Sequence, residues 1–571
     1  MNPVVSAQLK AFSAAHPNSG MRVDEYFEVF SIHAVANGIL TDNIDPFLAH
    51  LVGNEFGLDG VAIMVQGELC PDSDKVNELL ATGKNHIAEF NLFQSKTSER
   101  LDYGDISKFF DAVTSFFDKS FLNPSDQLLD LMSASDVVYS AALKRNPTLR
   151  LFFVTTGSGE VSEQISKLVE ANKTRFYDLN IFDEIEISII GAKVLQVGYR
   201  SATNSVSARI EINKPITLPE HPSVQQAFLG FVDAEQLVGL VTVPSGDGST
   251  RRINKAVFFD NIRDFNSKSE INQSIIKELK DGNPESFVFK NNGVTVVARE
   301  INRKGDYFEL EDFQIVNGCQ TSNILYLAGD HARGVSVPFR LIGSNDPEFV
   351  STIIVGTNRQ NEVKEEQFWA LTPFMKDLEE YCKEQPTEIR IFIERRENQY
   401  RNETVERTRV CKPSELVKSM AAMFLFQPHR SARDYRGIRQ EFSSKIFQVG
   451  HSVVPYHVAA FASYKTDFLI RNRRVPNAVG IYKYYVLSAL GRQLTGGKEI
   501  FELKRSKQEE ICSALIDTFI NEDALVILYT KVSKILDKMI ATNAINTREK
   551  VRDYIRTDAT AKAFESEFLK A

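Results

Sequence analysis

Two apolar stretches near the N-terminus constrain the fold most, because each predicts a β-strand and each carries polar groups that a plain core strand would avoid. They are residues 57–65 (Gly-Leu-Asp-Gly-Val-Ala-Ile-Met-Val) and residues 90–96 (Phe-Asn-Leu-Phe-Gln-Ser-Lys). Side chains alternate along a strand, so Gln94 and Lys96 fall on the same face as the apolar side chains before them. Asp59 stands where the first strand begins. A carboxylate, an amide and an ammonium on neighbouring strands suit a metal ion and a phosphate.

These polar residues also have a simpler explanation, in which Asp59 caps a strand while Gln94 and Lys96 face solvent at a sheet edge. Against it, both stretches should be interior, where a lysine needs a partner. Asp59 can offer a carboxylate to Mg²⁺ or Mn²⁺, Gln94 its side-chain carbonyl and Ser95 its backbone carbonyl. Such an ion activates a bound water and polarises a phosphodiester. Lys96 can then orient the water and balance the charge that develops.

The sequence Gly57-Leu58-Asp59-Gly60-Val61, followed by Phe93-Gln94-Ser95-Lys96, resembles the core of PD-(D/E)xK nucleases in the Gln-x-Lys variant of Mrr-like enzymes. The resemblance implies catalytic roles for Asp59, Gln94 and Lys96, with Mg²⁺ or Mn²⁺ held by Asp59 and Gln94. It also implies an auxiliary acid on the preceding helix. Glu28 matches best by position, and Glu25 is the alternate.

The chain departs from that nuclease pattern in two ways. Gln94 stands where an acid is more common, which removes one negative charge and is expected either to weaken metal affinity or to shift metal preference. The connection between the two strands is also longer than a tight hairpin, because it holds a predicted short helix near residues 75–80.

A second resemblance covers roughly residues 200–430 and is carried by several separate segments. Residues 284–295, 313–321 and 356–363 carry it, supported by 261–265 and 392–396. Together they resemble the AIPR (abortive infection phage resistance) family. Members of that family commonly carry a PD-(D/E)xK-like segment in front, and the family name implies defence against phage.

These segments are rich in Asn, Gln, Gly and Arg, and each cluster alone is typical of a turn. Asn-Gly within residues 288–297 predicts a β-hairpin, and Asn side chains bond nearby backbone. Taken together, amides also suit base edges and arginines suit phosphates. The candidates for a shared ligand or nucleic-acid groove are Asn291, Asn292, Asn317, Gln320, Thr321, Asn358, Gln360, Asn361, Arg395 and Arg396.

Arginines recur at a spacing of three between residues 430 and 439, and a second basic cluster spans residues 471–474. The first set shares one face if the segment is a continuous helix. Such a run is usually a solvated face. Beside a nuclease site it would instead be a surface that tracks a phosphate backbone, with Arg433 and Arg436 as candidate contacts.

Composition bounds the remaining possibilities. The chain has 571 residues, which predicts several domains, and a net charge of −8, which excludes a globally basic surface. Its 5 cysteines are scattered without zinc spacing, which indicates a reducing compartment. The N-terminus lacks a signal pattern, and no apolar run approaches the roughly 20 residues of a membrane span. We therefore expect a cytoplasmic protein with no membrane association.

The predicted fold class is α/β (α+β). Residues 1–190 are expected to form a restriction-endonuclease-like mixed sheet flanked by helices, including a helix over 22–37 with Asp24 as its cap and Gly38 as its stop. Apolar residues at helical spacing predict a helix over 106–117, and residues 149–156 predict a buried strand. A β-rich AIPR domain over 191–430 and a helical region over 431–571 complete the predicted chain.

Two hypotheses about function follow. In the first, the protein is a Mg²⁺- or Mn²⁺-dependent endonuclease that cuts nucleic acid, DNA rather than RNA, in antiphage defence. In the second, Gln94 leaves the site degenerate, and the protein is a sensor that binds a phage component or nucleic acid. A homodimer, a phage-derived trigger and a companion defence protein are the further partners considered.

Overall fold

The structure is a computed structural model. It describes residues 1–17, 20–40, 42, 44–53, 56–81, 86–141, 143–203, 207–244, 251–258, 270–281, 284–358, 372–395, 399–400, 405–448 and 450–570. Within these residues the fold is mixed α+β, as predicted, with an N-terminal sheet, a central sheet and a helical C-terminal region.

The N-terminal part is a mixed sheet with the strand order β2-β1-β3-β4-β5. β1 runs antiparallel to β3, whereas β3, β4 and β5 are parallel. The strands are β1 (Gly60–Val65), β2 (Glu68–Leu69), β3 (Ala88–Lys96), β4 (Thr148–Thr155) and β5 (Glu184–Ile190). The helices are α1 (Pro3–Ala15), α2 (Val23–Val35), α3 (Pro46–Ala49), α4 (Ser73–Leu80), α5 (Tyr103–Asp118), α6 (Asp126–Ser140), α7 (Glu163–Asp178) and α8 (Ala192–Thr203).

Apolar cores lie on both faces of this sheet because its inner strands are apolar on both sides. One core joins the sheet to α5, α6 and α7 and contains Phe90 and Leu92. The other joins it to α1, α2 and α8 and contains Phe93. The predicted strands and the predicted helices near 75–80 and 106–117 are confirmed.

The helix predicted over 22–37 is present, but its ends were assigned wrongly. Arg22, not Asp24, is the N-cap, and its backbone N–H donates to Glu25 at 2.8 Å. Helical turns continue through Gly38 as a π-helix over Ala36–Leu40. Gly38 serves close packing instead, since a Cβ there would lie 2.4 Å from the Cα of Gly198 on α8.

The central sheet has the order β6-β12-β11-β13-β8-β7. The strands that follow β5 are β6 (Ser207–Glu211), β7 (Asn213–Thr217), β8 (Gln226–Asp233), β9 (Thr242–Pro244), β10 (Arg251–Ile253), β11 (Val294–Lys304), β12 (Tyr307–Asn317) and β13 (Ser336–Gly343). The helices are α9 (Ala234–Leu240), α10 (Glu270–Lys280), α11 (Phe287–Lys290), α12 (Cys319–Ala328) and α13 (Pro347–Asn358). β9 and β10 pair only with each other among the described strands.

The hairpin predicted at Asn292-Gly293 is wrong. Residues before that turn form α11, and β11 begins after it. The Asn291 side chain accepts a hydrogen bond from the Gly293 N–H at 2.8 Å, so the Asn-Gly signal here is a local turn. β11 pairs instead with β12, and the register Lys304↔Tyr307 places that hairpin turn at Gly305.

The C-terminal region is largely helical, as predicted, and one core extends from Met375 to Phe568. Its short strands are β14 (Phe392–Ile393) and β15 (Val410–Cys411). Its helices are α14 (Pro373–Glu384), α15 (Pro413–Phe424), α16 (Pro428–Ser431), α17 (Tyr435–Phe442), α18 (Val454–Arg471), α19 (Lys483–Thr495), α20 (Arg505–Ile520), α21 (Glu522–Thr542), α22 (Arg548–Ile555) and α23 (Asp558–Lys570).

At both predicted domain limits, residues from the two sides of the limit belong to the same apolar core. α8, which follows residue 190, contributes Ala192 and Leu195 to the N-terminal core, and the C-terminal core contains residues both before and after residue 430, such as Leu425 and Tyr435. The limits 1–190, 191–430 and 431–571 remain predictions.

Among the described helices, none combines the length and apolar character that crossing a membrane requires.

Candidate active site

Asp59 is fixed from both sides at the start of β1. Its backbone N–H donates to the Phe93 carbonyl at 2.9 Å, and its carbonyl accepts from the Leu51 N–H at 2.9 Å. Its carboxylate oxygen Oδ2 accepts from the Gln94 amide at 2.7 Å and from the Ser95 N–H at 2.6 Å. The predicted meeting of Asp59 and Gln94 is therefore present, with the Gln94 amide donating.

Two glycines allow this arrangement. A Cβ on Gly57, whose φ is +80°, would lie 2.6 Å from the Lys108 carbonyl of α5. A Cβ on Gly60 would lie 2.6 Å from the Ile32 side chain of α2. Helical residues four apart share a face, so the close seat of Ile32 on Gly60 brings Glu28 toward Asp59.

Glu28 has a partner that the sequence did not predict. His50 directly follows α3, its side chain is 1% exposed, and its Nε2 lies 2.7 Å from Glu28 Oε2. The backbone of His50 pairs with that of Gly60 in an isolated bridge. Only this tertiary contact identifies His50, because a lone histidine in an irregular segment carries no spacing signal.

Burial and charge define the electrostatics of Asp59. Burial raises the pKa of Asp59, the nearby charge of Glu28 raises it further, and the Ser95 N–H and the Lys96 ammonium offset part of this, leaving the pKa at about 8. Three of the predicted catalytic residues thus influence the fourth, Asp59: Gln94 through a hydrogen bond, and Glu28 and Lys96 through their charges. The Lys96 side chain forms no ion pair or hydrogen bond with the described residues.

The donor set at this locality suits Mg²⁺ or Mn²⁺. Asp59 Oδ1 accepts no hydrogen bond from the described residues, and Gln94, whose amide N–H bonds the other carboxylate oxygen, has a side-chain carbonyl oxygen on the same amide group. Among the described residues there is no group of three or more His, Cys, Asp or Glu side chains arranged to hold a metal. Mg²⁺ needs no such group, since it commonly binds one or two protein oxygens plus waters and substrate phosphates.

Part of the predicted amide groove surrounds the start of α12, after Gly318, whose φ of +113° turns the chain from β12 into the helix. Asn291 donates to Thr321 Oγ1 at 2.9 Å. Gln320 donates to the Asn272 side chain at 2.6 Å. Asn317 ends β12, and Asn292 is exposed. These contacts give Asn291, Thr321 and Gln320 structural partners, and a ligand role for the group remains a prediction.

Several other predicted contacts lie elsewhere or outside the described residues. Arg395 is buried, and its guanidinium bonds Glu379 and, at 3.2 Å, Glu348, which favours a structural role. Asn358 ends α13, and its side chain is not described. The remaining predicted positions outside the described residues are Gln360, Asn361, Arg396 and the supporting segment 261–265.

The arginines between 430 and 439 do not lie on one continuous helix, because α16 ends at Ser431 and α17 begins at Tyr435. Arg430 pairs with Asp434 at 2.8 Å and with Glu441 at 2.6 Å. Arg433 and Arg436 are exposed, and Arg436 donates to the Ala81 carbonyl at 3.4 Å. In the second cluster, Arg473 and Arg474 are paired with acids.

Comparison with known proteins identifies one relationship. The model of the family described as AIPR protein matches residues 258–546, which is half of the chain. No curated protein and no solved structure matches the chain. The match covers strands β11, β12 and β13 of the central sheet and most of the C-terminal helices. It begins after the candidate active site.

Proposed function

Because the chain belongs to the AIPR family, whose name stands for abortive infection and phage resistance, we propose that it acts in phage defence as a metal-dependent endonuclease. Its substrate would be nucleic acid, DNA rather than RNA, cut at the N-terminal site. The observation that carries the proposal is the contact of Asp59 with Gln94 and Ser95, beside the charges of Glu28 and Lys96.

Each site residue has a separate role in the proposed reaction. Asp59 Oδ1 and the Gln94 carbonyl oxygen would hold Mg²⁺ or Mn²⁺, which when bound polarises a phosphodiester and acidifies water. Gln94 and Ser95 hold the other Asp59 oxygen and so fix the carboxylate. Lys96 is free among the described residues to orient the attacking water and to stabilise negative charge on the phosphate. Glu28 is the auxiliary acid.

The second candidate is a non-catalytic sensor, and one observation favours it. The Gln94 amide donates to Asp59, so the place of a second carboxylate is taken by a group that partly neutralises the first. A sensor of this kind would bind nucleic acid or a phage component without turnover under any divalent metal. The homodimer, the phage-derived trigger, the companion protein and the cytoplasmic location remain predictions from the sequence.

The deciding experiment compares cleavage of supercoiled plasmid and of RNA by wild type, Asp59→Ala and Lys96→Ala, each with Mg²⁺ or Mn²⁺. We expect wild type to cut the plasmid and both variants to lose about 100-fold or more of the rate. Lys167→Ala is the matched control, since Lys167 is a 76% exposed lysine in the same part of the chain. Undiminished cleavage in both variants would remove the site assignment.

If wild type binds labelled DNA but cuts neither substrate with either metal, the sensor is the correct alternative. Fluorescence anisotropy of a labelled duplex measures that binding separately from turnover. The two candidates thus differ in turnover, whatever the affinity.

A further inference from the structure

Hydrogen bonds fix the backbone at His50, although this residue contributes no group to the predicted nuclease pattern. Its carbonyl accepts a hydrogen bond from Gln127 of α6 at 2.8 Å, and Gln127 in turn accepts from the Val52 N–H at 3.0 Å. The next residue, Leu51, donates to the Asp59 carbonyl. The His50 backbone is therefore tied to the same strand start that carries Asp59.

The surroundings of the His50 ring show which of its nitrogens donates. Nδ1 is buried and has no hydrogen-bond partner among the described residues. An ionised carboxylate only accepts hydrogen bonds, so the ring nitrogen that faces it carries a proton. His50 Nε2–H therefore donates to Glu28 Oε2 over 2.7 Å.

This donor restricts Glu28, whose side chain is 22% exposed. A glutamate so placed would otherwise sample several rotamers, and fixing it requires a partner. Among the described residues no other group bonds Glu28, so Oε1 stays free to accept from a water or a substrate. His50 thus holds Glu28 Oε2, while Glu28 Oε1 can accept a hydrogen bond from a reacting group.

We propose that His50 is a positioning residue for the nuclease reaction, because its Nε2–H holds Glu28 beside Asp59. This inference rests on the proposed function and names a residue that the nuclease pattern does not contain. Groups that orient the residues around a metal commonly contribute 10–100-fold to activity or to metal affinity. His50 acts only through Glu28 and contacts no reacting atom.

Three substitutions separate the donor from the bulk of the ring. His50→Gln keeps an N–H donor at about the reach of Nε2, His50→Asn keeps an amide that is too short to reach Glu28, and His50→Ala removes both. The matched control is His86→Ala, because His86 is also buried and also forms an isolated bridge, to Leu143, away from the site. Circular dichroism and cooperative unfolding establish that each variant is folded.

Plasmid cleavage with Mn²⁺ is the first readout. We expect His50→Ala and His50→Asn to lower kcat about 10–100-fold with unchanged KM for DNA, while His50→Gln and His86→Ala stay within about threefold of wild type. Equal kcat in His50→Asn and His50→Gln would overturn the inference, even if His50→Ala fails to fold.

Mn²⁺ affinity, followed by the electron paramagnetic resonance signal of free Mn²⁺, is the second readout and needs no cleavage. We expect His50→Asn to weaken binding about tenfold and His50→Gln to restore it. If wild type cuts DNA and no His50 variant changes kcat or affinity, the inference fails alone. If wild type does not cut DNA but Mn²⁺ affinity changes with the His50 variants, the nuclease function fails, and what stands is only that His50 positions Glu28 beside a metal site. Absence of both cleavage and Mn²⁺ binding would overturn both.

Discussion

Arg473 of the C-terminal helical region donates a hydrogen bond to Glu25, which lies one helical turn before Glu28 on α2. The Glu25 side chain is 5% exposed, so its charge depends on this partner and on the Arg22 backbone. Arg473 itself has a left-handed φ of 55°, which a non-glycine residue adopts at a cost. The region matched by the AIPR family therefore bonds directly to α2, the helix that carries Glu28, the predicted auxiliary acid.

We expect Arg473→Ala to lower the free energy of unfolding by about 1–2 kcal/mol, because it leaves a buried carboxylate short of a donor. The value is at the lower end because the Arg473 side chain is 39% exposed. Arg474→Ala is the neighbouring control: Arg474 pairs with Asp523, which is 85% exposed, and its loss should cost at most about 1 kcal/mol. Urea unfolding measures both, and equal losses would contradict the importance of the Glu25 contact.

A buried ion network joins the C-terminal helices to the N-terminal sheet unit. Asp130 of α6 accepts from Arg548 at 2.8 Å and pairs with Arg552 at 2.7 Å, and the Arg552 side chain is 8% exposed. Removing the charge of Asp130 leaves two arginines without their main acceptor. We expect Asp130→Asn to lower the free energy of unfolding by about 3–5 kcal/mol, as breaking a buried pair does.

The control for Asp130 lies on the same helix. Asp136 pairs with Lys119, but both side chains are about half exposed, at 55% and 49%. Asp136→Asn should therefore change the free energy of unfolding by less than about 1 kcal/mol. Chemical denaturation at low salt tests the pair of variants, and a small effect of Asp130→Asn would show that the two regions are joined mainly by apolar packing.

Gly60→Ala tests whether the approach of α2 to β1 sets the site. The added Cβ would meet Ile32 at 2.6 Å and the Ala49 carbonyl at 3.1 Å, so α2 must shift. We expect a loss of about 1–3 kcal/mol in stability from overpacking, with cleavage reduced further because Glu28 moves with Ile32. Gly239→Ala, in α9 with nothing within 4 Å, should instead stabilise by about 0.5–1 kcal/mol. Full cleavage by folded Gly60→Ala would contradict the argument.

The sequence predicted what depends on local pattern and missed what depends on distant partners. Strand alternation and helical spacing were enough for β1, β3 and α5, and the nuclease resemblance reached Glu28. His50 could not be predicted because its contact with Glu28 joins residues 22 positions apart, across the end of α2, the π-helix and α3. The turn predicted at Asn292-Gly293 is present, but it does not join two strands, because β11 pairs with β12, the strand that follows it.

The raised pKa of Asp59 gives a prediction for the metal-free protein. An unfolded Asp ionises near 3.8, whereas folded Asp59 keeps its proton to about 8, because it is buried and near Glu28. Between these pH values only the folded state holds the proton, so Asp59 makes the free energy of unfolding fall as pH rises, by up to about 1.4 kcal/mol per pH unit. Asp59→Asn removes this effect, so its stability relative to wild type should rise steadily from pH 5 to pH 8 and level off above.

Glu89 provides the contrasting control for that pH series. Burial opposes its charge, but Arg150 and Lys255 outweigh burial and lower the pKa of Glu89 to about 2. Its contribution is therefore complete above the ordinary value of 4.5 and is lost only as pH falls toward 2. Glu89→Gln should be less stable than wild type by the same amount at every pH from 6 to 8. Thermal unfolding with a chelator present measures both series, and a pH-independent difference for Asp59→Asn would contradict the buried, protonated Asp59.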